Sequence, residues 1–93
     1  QPSEKITGMK TWPNPFSDQI SIQFELKKRQ AVEINISDEL GNQVYYRKSA
    51  IREQGLNLIT LKQGKDFQLK SGAYFVRIIT SSGVLNQKFI CIK

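Results

Sequence analysis

Gln19-Ile20-Ser21-Ile22-Gln23-Phe24-Glu25-Leu26 places an apolar side chain at every second position and a polar one between. That is the period of a strand with one buried face. On a helix the same four apolar side chains would scatter around the circumference. Lys27-Lys28-Arg29-Gln30 then forms a charged reversal, after which Val32, Ile34 and Ile36 alternate with Glu33, Asn35 and Ser37. The two runs pair most simply as an antiparallel hairpin with one wet face.

Downstream, Asp38-Glu39-Leu40-Gly41-Asn42 reads as a turn. Asp38 can bond the backbone two residues on, and Gly41 supplies a position where φ can be positive. Leu40, apolar within a polar loop, is expected to plug the end of the core. Val44 to Arg47 reads as a short strand, and Ser49 to Gly55 as a looser connection. Leu56 to Leu61 is a strand with two registers open, and the one that turns Ile59 and Leu61 inward is favoured over Leu56 and Leu58. Gly64-Lys65-Asp66 breaks the chain, while Phe67 and Leu69 are spaced to tuck a loop against the core. Lys70-Ser71-Gly72 turns into Ala73 to Thr80, with Tyr74, Val76 and Ile78 inward and Phe75 and Ile79 partly covering the other face. Ser81-Ser82-Gly83 is a tight reversal before a last strand from Val84 to Ile92.

Upstream lies Trp12-Pro13-Asn14-Pro15-Phe16-Ser17-Asp18. Two prolines fix two φ angles and remove two donors, so the segment is expected to be a rigid extended corner. Trp12 and Phe16 offer apolar surface to pin it. Residues 1–9 read as a linker tail and residues 10–93 as the domain. About seven strands with glycine-marked turns give an all-β class and a small antiparallel β-sandwich.

Composition agrees. Ninety-three residues make one domain, and eleven Ile against three Ala favour strands over helices. No apolar run approaches the ~18 residues of a membrane-spanning helix. The chain has no histidine and one cysteine, Cys91, which excludes an internal disulfide, Cys/His zinc sites and histidine-dependent triads. A single cysteine fits a reducing compartment or a bacterial export route without disulfides. The net charge of +6 favours acidic surroundings, yet the basic residues are scattered apart from Lys27, Lys28 and Arg29, as on a plain solvated surface. The sequence opens at Gln1 with neither Met nor an apolar leader, and so reads as a piece of a longer protein with its targeting peptide upstream.

No catalytic constellation emerges. Asp18, Asp38, Glu39 and Asp66 fall in turns, where Asp is common for backbone reasons, and nothing sets two carboxylates across a cleft. Asp38 and Glu39 lack the alternating oxygen pattern of a calcium loop, and no glycine loop cradles a phosphate, so no cofactor or metal is expected. Cys91 between Ile90 and Ile92 reads as a small buried hydrophobe. Asn35-Ile36-Ser37 matches a glycosylation pattern but falls mid-strand and is discounted. Trp12, Phe16, Phe24, Tyr74 and Phe75 sit in apolar patterns and read as core, not as a nucleic-acid platform.

Four pieces in order carry more than a generic sandwich. They are Pro13-Asn14-Pro15-Phe16 before an alternating strand, Asp38-x-x-Gly41-x-x-Val44, Leu69-x-Ser71-Gly72-x-Tyr74-x-Val76-x-Ile78, and a closing apolar strand led by Lys88. Over residues 10–93 the chain resembles the C-terminal sorting domain of type IX secretion cargo proteins from Bacteroidetes. The resemblance implies a seven-stranded immunoglobulin-like sandwich at the end of an exported protein, acting as an address label and not as an enzyme. It implies a passenger domain N-terminal in the same chain and passage through the periplasm. The partners implied are the outer-membrane translocon, its shuttle components and a surface sortase that in many members removes the domain. The end point is the cell surface, the outer membrane or the medium. By position, Pro13, Asn14, Pro15 and Phe16 would form the corner, and Asp38, Gly41, Gly72 and Tyr74 would hold turns. Lys88, Phe89, Ile90, Cys91, Ile92 and Lys93 would be the part tied to translocation.

The physical mechanism expected from this is strand addition at an open edge made by the final strand, with the basic surplus steering toward an acidic receptor. The same exposed edges leave room for a weak dimer. Removing Phe89 to Lys93 is expected to stop delivery with the passenger still folded. The alternative is an accessory immunoglobulin- or fibronectin-like module that contacts glycan or protein, with Trp12, Tyr45 and Tyr46 as its candidate aromatics. A nucleic-acid-binding barrel would need a continuous basic stripe.

Overall fold

The computed structural model describes residues 7–93, and the part of the expected linker tail in residues 1–6 lies outside the described residues. Seven strands follow one another: β1 (Thr7–Trp12), β2 (Gln19–Leu26), β3 (Gln30–Asp38), β4 (Gln43–Arg52), β5 (Gly55–Lys62), β6 (Gly72–Thr80) and β7 (Gly83–Cys91). They form two antiparallel sheets, one ordered β1-β2-β5 and the other β4-β3-β6-β7. The expected all-β sandwich of seven strands is the architecture found.

Burial follows the alternation read from the sequence. Ile20, Ile22, Phe24 and Leu26 of β2 face Val32, Ile34 and Ile36 of β3 across the interior, and all are buried. Ile59 and Leu61 of β5 are inward, whereas Leu56 and Leu58 are 71% and 56% exposed, so the favoured register holds. Tyr74, Val76 and Ile78 of β6 and Phe67 and Leu69 of the preceding loop are buried as expected.

The pairing of β2 with β3 is a correction. β2 bonds to β1 and β5, and β3 bonds to β4 and β6, so the two strands lie in opposite sheets. Alternation states which face of a strand is apolar, and that face is buried equally well by stacking across a sandwich. Lys27, Lys28 and Arg29 carry the chain between sheets. Gln30, a buried polar residue, fastens that crossing. Its Nε2 donates to the Lys28 carbonyl (3.2 Å), and its Oε1 accepts from the hydroxyls of Ser81 (3.3 Å) and Ser82 (3.0 Å) in the β6–β7 turn.

Three local expectations also change. Ser49 to Arg52 is part of β4 and not a loose connection. Two register shifts against β3 break the period of two in this edge strand, which hid it from a pattern search. Leu40 is 87% exposed and plugs nothing, because the Asp38 turn carries it beyond the end of the core. Trp12 (42% exposed) and Phe75 (37%) lie on outer faces, so neither belongs to the core and Phe16 alone pins the corner.

These differences predict opposite outcomes for two leucines. Leu40→Ser should change stability by no more than ~0.5 kcal/mol, as exposed positions do. Leu69→Ala should cost about 2–5 kcal/mol through a cavity in the core. Urea unfolding of both variants beside the parent chain measures the contrast.

Candidate functional site

The motif residues gather at one end of the sandwich, and the geometry there is a clamp on the end of β7. That strand is the outer member of its sheet, so half of its backbone groups have no neighbouring strand. The proline corner supplies partners for them. Asn14 Oδ1 accepts from the Ile90 amide (2.9 Å), and Asn14 Nδ2 donates to the Lys88 carbonyl (3.5 Å). One step on, the Phe16 amide donates to the Ile90 carbonyl (2.9 Å), and the Ile92 amide donates to the Phe16 carbonyl (2.8 Å). Phe16 thus bridges to Cys91 in parallel, and a side-chain amide followed by a backbone unit imitates a short added strand. Pro13 and Pro15, both after cis peptide bonds, carry no N–H that the corner would have to satisfy.

The other flank is held by the loop before β6. The Lys93 amide donates to Ser71 Oγ (2.8 Å). Gln63 exchanges bonds with the backbone of Leu69, from Nε2 to its carbonyl (3.0 Å) and from its amide to Oε1 (2.8 Å), and Nε2 also reaches Cys91 Sγ (3.4 Å). Burial pushes the Cys91 thiol up, in keeping with a packing role. Sequence reading missed Gln63, which carries no local signal because its partners are six and 28 residues away.

Beneath the clamp is an aromatic cluster. Phe89 packs against Phe16 (ring centroids 5.6 Å) and stacks on Tyr74 (5.8 Å), while Phe67 meets Phe16 (6.1 Å) and Tyr45 edge-on (6.0 Å). The Tyr74 hydroxyl donates to the Lys70 carbonyl four residues upstream (2.7 Å). A tyrosine at the start of the sixth strand bonding back in this way is the tyrosine corner of immunoglobulin-like sandwiches. Burial raises the Tyr74 pKa, so the phenol stays a donor at neutral pH. Gly72 opens β6 at φ +156°, with nothing within 4 Å of where a Cβ would sit, so its need is conformational and not steric.

Asp38 and Gly41 shape the adjacent β3–β4 turn. The Asp38 carboxylate accepts from the amides of Leu40 (2.9 Å) and Asn42 (2.9 Å) and from Asn42 Nδ2 (3.3 Å). Gly41, at φ 88°, closes the turn by donating its amide to the Asp38 carbonyl (3.1 Å). The bond from the Asn42 amide is the main reason the Asp38 carboxyl lies below its usual value.

Of the six residues from Lys88 to Lys93, Phe89 and Cys91 are buried, and Ile90 is half-buried. Lys88, Ile92 and Lys93 alone present exposed side chains. A shallow depression of about 250 Å³ between Asp38, Glu39, Lys70 and Tyr74 is smaller than typical ligand pockets. Among the described residues no group of acidic or cysteine side chains is placed to hold a metal. Nor do the candidate glycan aromatics gather: opposite neighbours put Trp12 (with Ser21) and Tyr46 (with Asn35) on the outer faces of different sheets, and Tyr45 packs on Phe67. What the motif residues build together is a rigid surface.

The model of the family described as the secretion system C-terminal sorting domain matches residues 10–93. The chain belongs to that family. Its fold is that of several solved structures at low identity. PorZ, an essential bacterial surface component of the type IX secretion system of Porphyromonas gingivalis, superposes at TM-score 0.62 with 19% identity over 92% of this chain. The alkylpurine DNA glycosylase AlkC of Pseudomonas fluorescens gives 0.55 with 13% identity over 96% of this chain. A β-glucosidase of Erythrobacter marinus gives 0.55 with 9% identity over 94%. The chain spans 12%, 30% and 15% of those three proteins, respectively. A comparison with curated proteins finds no match.

Two outcomes follow for this sorting domain. Asn14→Ala should cost about 1–2 kcal/mol, from two lost bonds of ordinary net worth, and should speed hydrogen exchange at the Ile90 amide. For Asp38 the folded pKa lies below the unfolded one, so its contribution is complete above the ordinary carboxyl range and is lost as pH falls through the folded value. Thermal melts between pH 7 and pH ~2.5 should therefore show a steeper acid loss for the parent than for Asp38→Asn.

Proposed function

We propose that this domain is a non-catalytic C-terminal label of the type IX route. It directs a passenger lying N-terminal to it in the same chain from the periplasm through the outer-membrane translocon to the cell surface. The family match over residues 10–93 carries this reading. Shuttle and translocon components read the folded label, and a surface sortase then removes it from the passenger.

The clamp indicates how such a label works. Export machinery that recognises a folded domain needs side chains held in fixed positions, since ordering a flexible tail on binding costs free energy. Asn14, Phe16, Ser71 and Gln63 hold the last residues from two sides, leaving Lys88, Ile92 and Lys93 displayed on an ordered strand end. Phe89 and Cys91 act from beneath, as core. Removing Phe89 to Lys93 would therefore take away part of the core and unfold the label, so loss of export in that deletion would report folding as much as recognition.

A sharper test leaves the core untouched. The chain is placed at the C-terminus of a periplasmic reporter in a type IX-competent host, and reporter is measured at the surface and in the medium. The parent should export, and the same fusion in a translocon-deficient host should stay in the periplasm. The triple variant Lys88→Glu, Ile92→Ser, Lys93→Glu should melt within a few degrees of the parent, as exposed substitutions do, and export about tenfold less. Periplasmic retention of the parent in the competent host would overturn the sorting role.

A further inference from the structure

A two-sheet sandwich has four edge strands, here β1 and β5 in one sheet and β4 and β7 in the other. Three of them are defended against pairing. β1 slips register against β2 between Thr7 and Lys10. β4 shifts register against β3 twice. β7 is paired over its last residues with Asn14 and Phe16. Bulges and covering segments are the usual means of blunting an edge.

β5 has none of these. It pairs with β2 in unbroken register from Gly55 opposite Leu26 to Lys62 opposite Gln19. Its C-terminal end is closed, because the Lys62 amide donates to Asp66 Oδ2 (2.8 Å) and the Lys62 carbonyl accepts from the amides of Lys65 and Asp66. The Gln63 amide bonds to Asp18 on the β2 side (2.8 Å), so by alternation Leu56, Leu58 and Thr60 turn their amides and carbonyls outward. Among the described residues no turn or loop backbone bonds to these groups. No charged side chain occurs from Gly55 to Leu61, and Leu56 and Leu58 are the most exposed large apolar residues of any strand.

The flank between β5 and β4 has a definite charge. Arg47 stands opposite Ile34 and Arg52 opposite Gln30, so both lean toward the inner side of the sheet. Arg47 Nε donates to the Tyr45 hydroxyl (3.0 Å), and Arg52 Nη1 donates to Asn57 Oδ1 of β5 (3.5 Å). Neither meets a carboxylate among the described residues. Burial and the neighbouring Arg47 both disfavour the charge on Arg52.

We infer that the β5 edge, from Leu56 to Thr60, is a docking site for an extended partner segment that alternates apolar and acidic side chains. Its backbone would satisfy the outward groups of Leu56, Leu58 and Thr60, as in strand addition generally. Apolar side chains on its outer face would cover Leu56 and Leu58. Carboxylates on its inner face would meet Arg47 and Arg52, relieving two like charges that have only neutral partners. A second copy of this chain would bring the same arginines and another +6, which disfavours it as the occupant. That the partner belongs to the export machinery rests on the sorting role; the docking chemistry rests on the edge itself.

The test uses an alternating Val–Glu peptide as probe and an alternating Val–Lys peptide as control, with amide hydrogen exchange read on the whole chain. Val–Glu should slow exchange at Leu56, Leu58 and Thr60 saturably, and Val–Lys should not. Leu58→Pro removes one outward N–H, a change edge strands tolerate, and should weaken Val–Glu binding about tenfold or more. Leu56→Ser with Leu58→Ser, at exposed positions that leave the core intact, should do the same. Both variants, fused to the exported reporter, should leave it in the periplasm while melting like the parent. Equal protection by both peptides, no protection by either, or self-association that shields the same amides without peptide would each overturn the proposal. If the parent fusion exports and the folded variants export equally, the edge has no part in sorting. If the parent fusion itself is retained, the sorting role fails and the partner's place in export with it, while the peptide protection decides the docking site by itself.

Discussion

The final strand has to be satisfied on a side where no further strand exists. β7 closes the four-stranded sheet, and its outward amides and carbonyls would otherwise be left to water or to any strand that meets them. Asn14 and Phe16 satisfy four of those groups, from Lys88 to Ile92, and in doing so tie the start of the domain to its end. Much else at this pole follows from that closure. Phe16 can reach Phe89 only because its backbone is held against β7, and Phe89 in turn supports Tyr74.

The energetics favour a cooperative end over a loose tail. Each bond in the clamp is worth only about 0.5–1.5 kcal/mol net, and aromatic pairs add about as much beyond their buried area. A domain of this size is stable by only about 5–15 kcal/mol, so the corner, the Tyr74 bond and the buried Phe89 together form a sizeable share. They are also mutually dependent, since residues sharing a network couple and do not add. The terminal strand therefore remains ordered as long as the aromatic cluster is intact, and its exposed side chains inherit that rigidity.

What the sequence disclosed was governed by local periodicity. The faces of β2, β3 and β6 were legible because each alternates without interruption. β5 left two registers open in the sequence, and the burial of Ile59 and Leu61 in the structure decides for the favoured one. Sheet membership was not legible, because a strand's apolar face does not encode whether its neighbour lies beside it or across the core. β4 was cut short because its two register shifts destroy the period on which recognition depends. The motif residues Asn14, Asp38, Gly72 and Tyr74 could be named in advance, but not what each touches. The partners of Asn14 lie 74 and 76 residues away, and those of Gln63 at Cys91 lie 28 away. Leu40 misled for a related reason: its isolation in a polar loop looked like burial, while Asp38 had already satisfied the turn's backbone without it.

The four edges also divide labour in a way that net charge alone would not suggest. From Phe67 to Lys93 the chain carries Lys70, Arg77, Lys88 and Lys93 and no acidic residue, so the β6–β7 segment is basic, although Asp38 and Glu39 stand beside Lys70 and Tyr74 at the clamped end. Long-range attraction toward an acidic surface would act through that segment, falling off over the ~8–10 Å screening length of physiological salt. Contact is a different matter, because a screened charge on a flexible lysine contributes little once partners meet. Backbone pairing and apolar cover supply specificity at short range, and both require an edge that is open, regular and uncharged. Sealing β7 at its end, bulging β4 and interrupting β1 narrow the competing edges, and β5, in unbroken register with β2, also bears two exposed leucines. Steering by one face and docking at another are compatible because the sandwich is small enough for a single encounter to sample both.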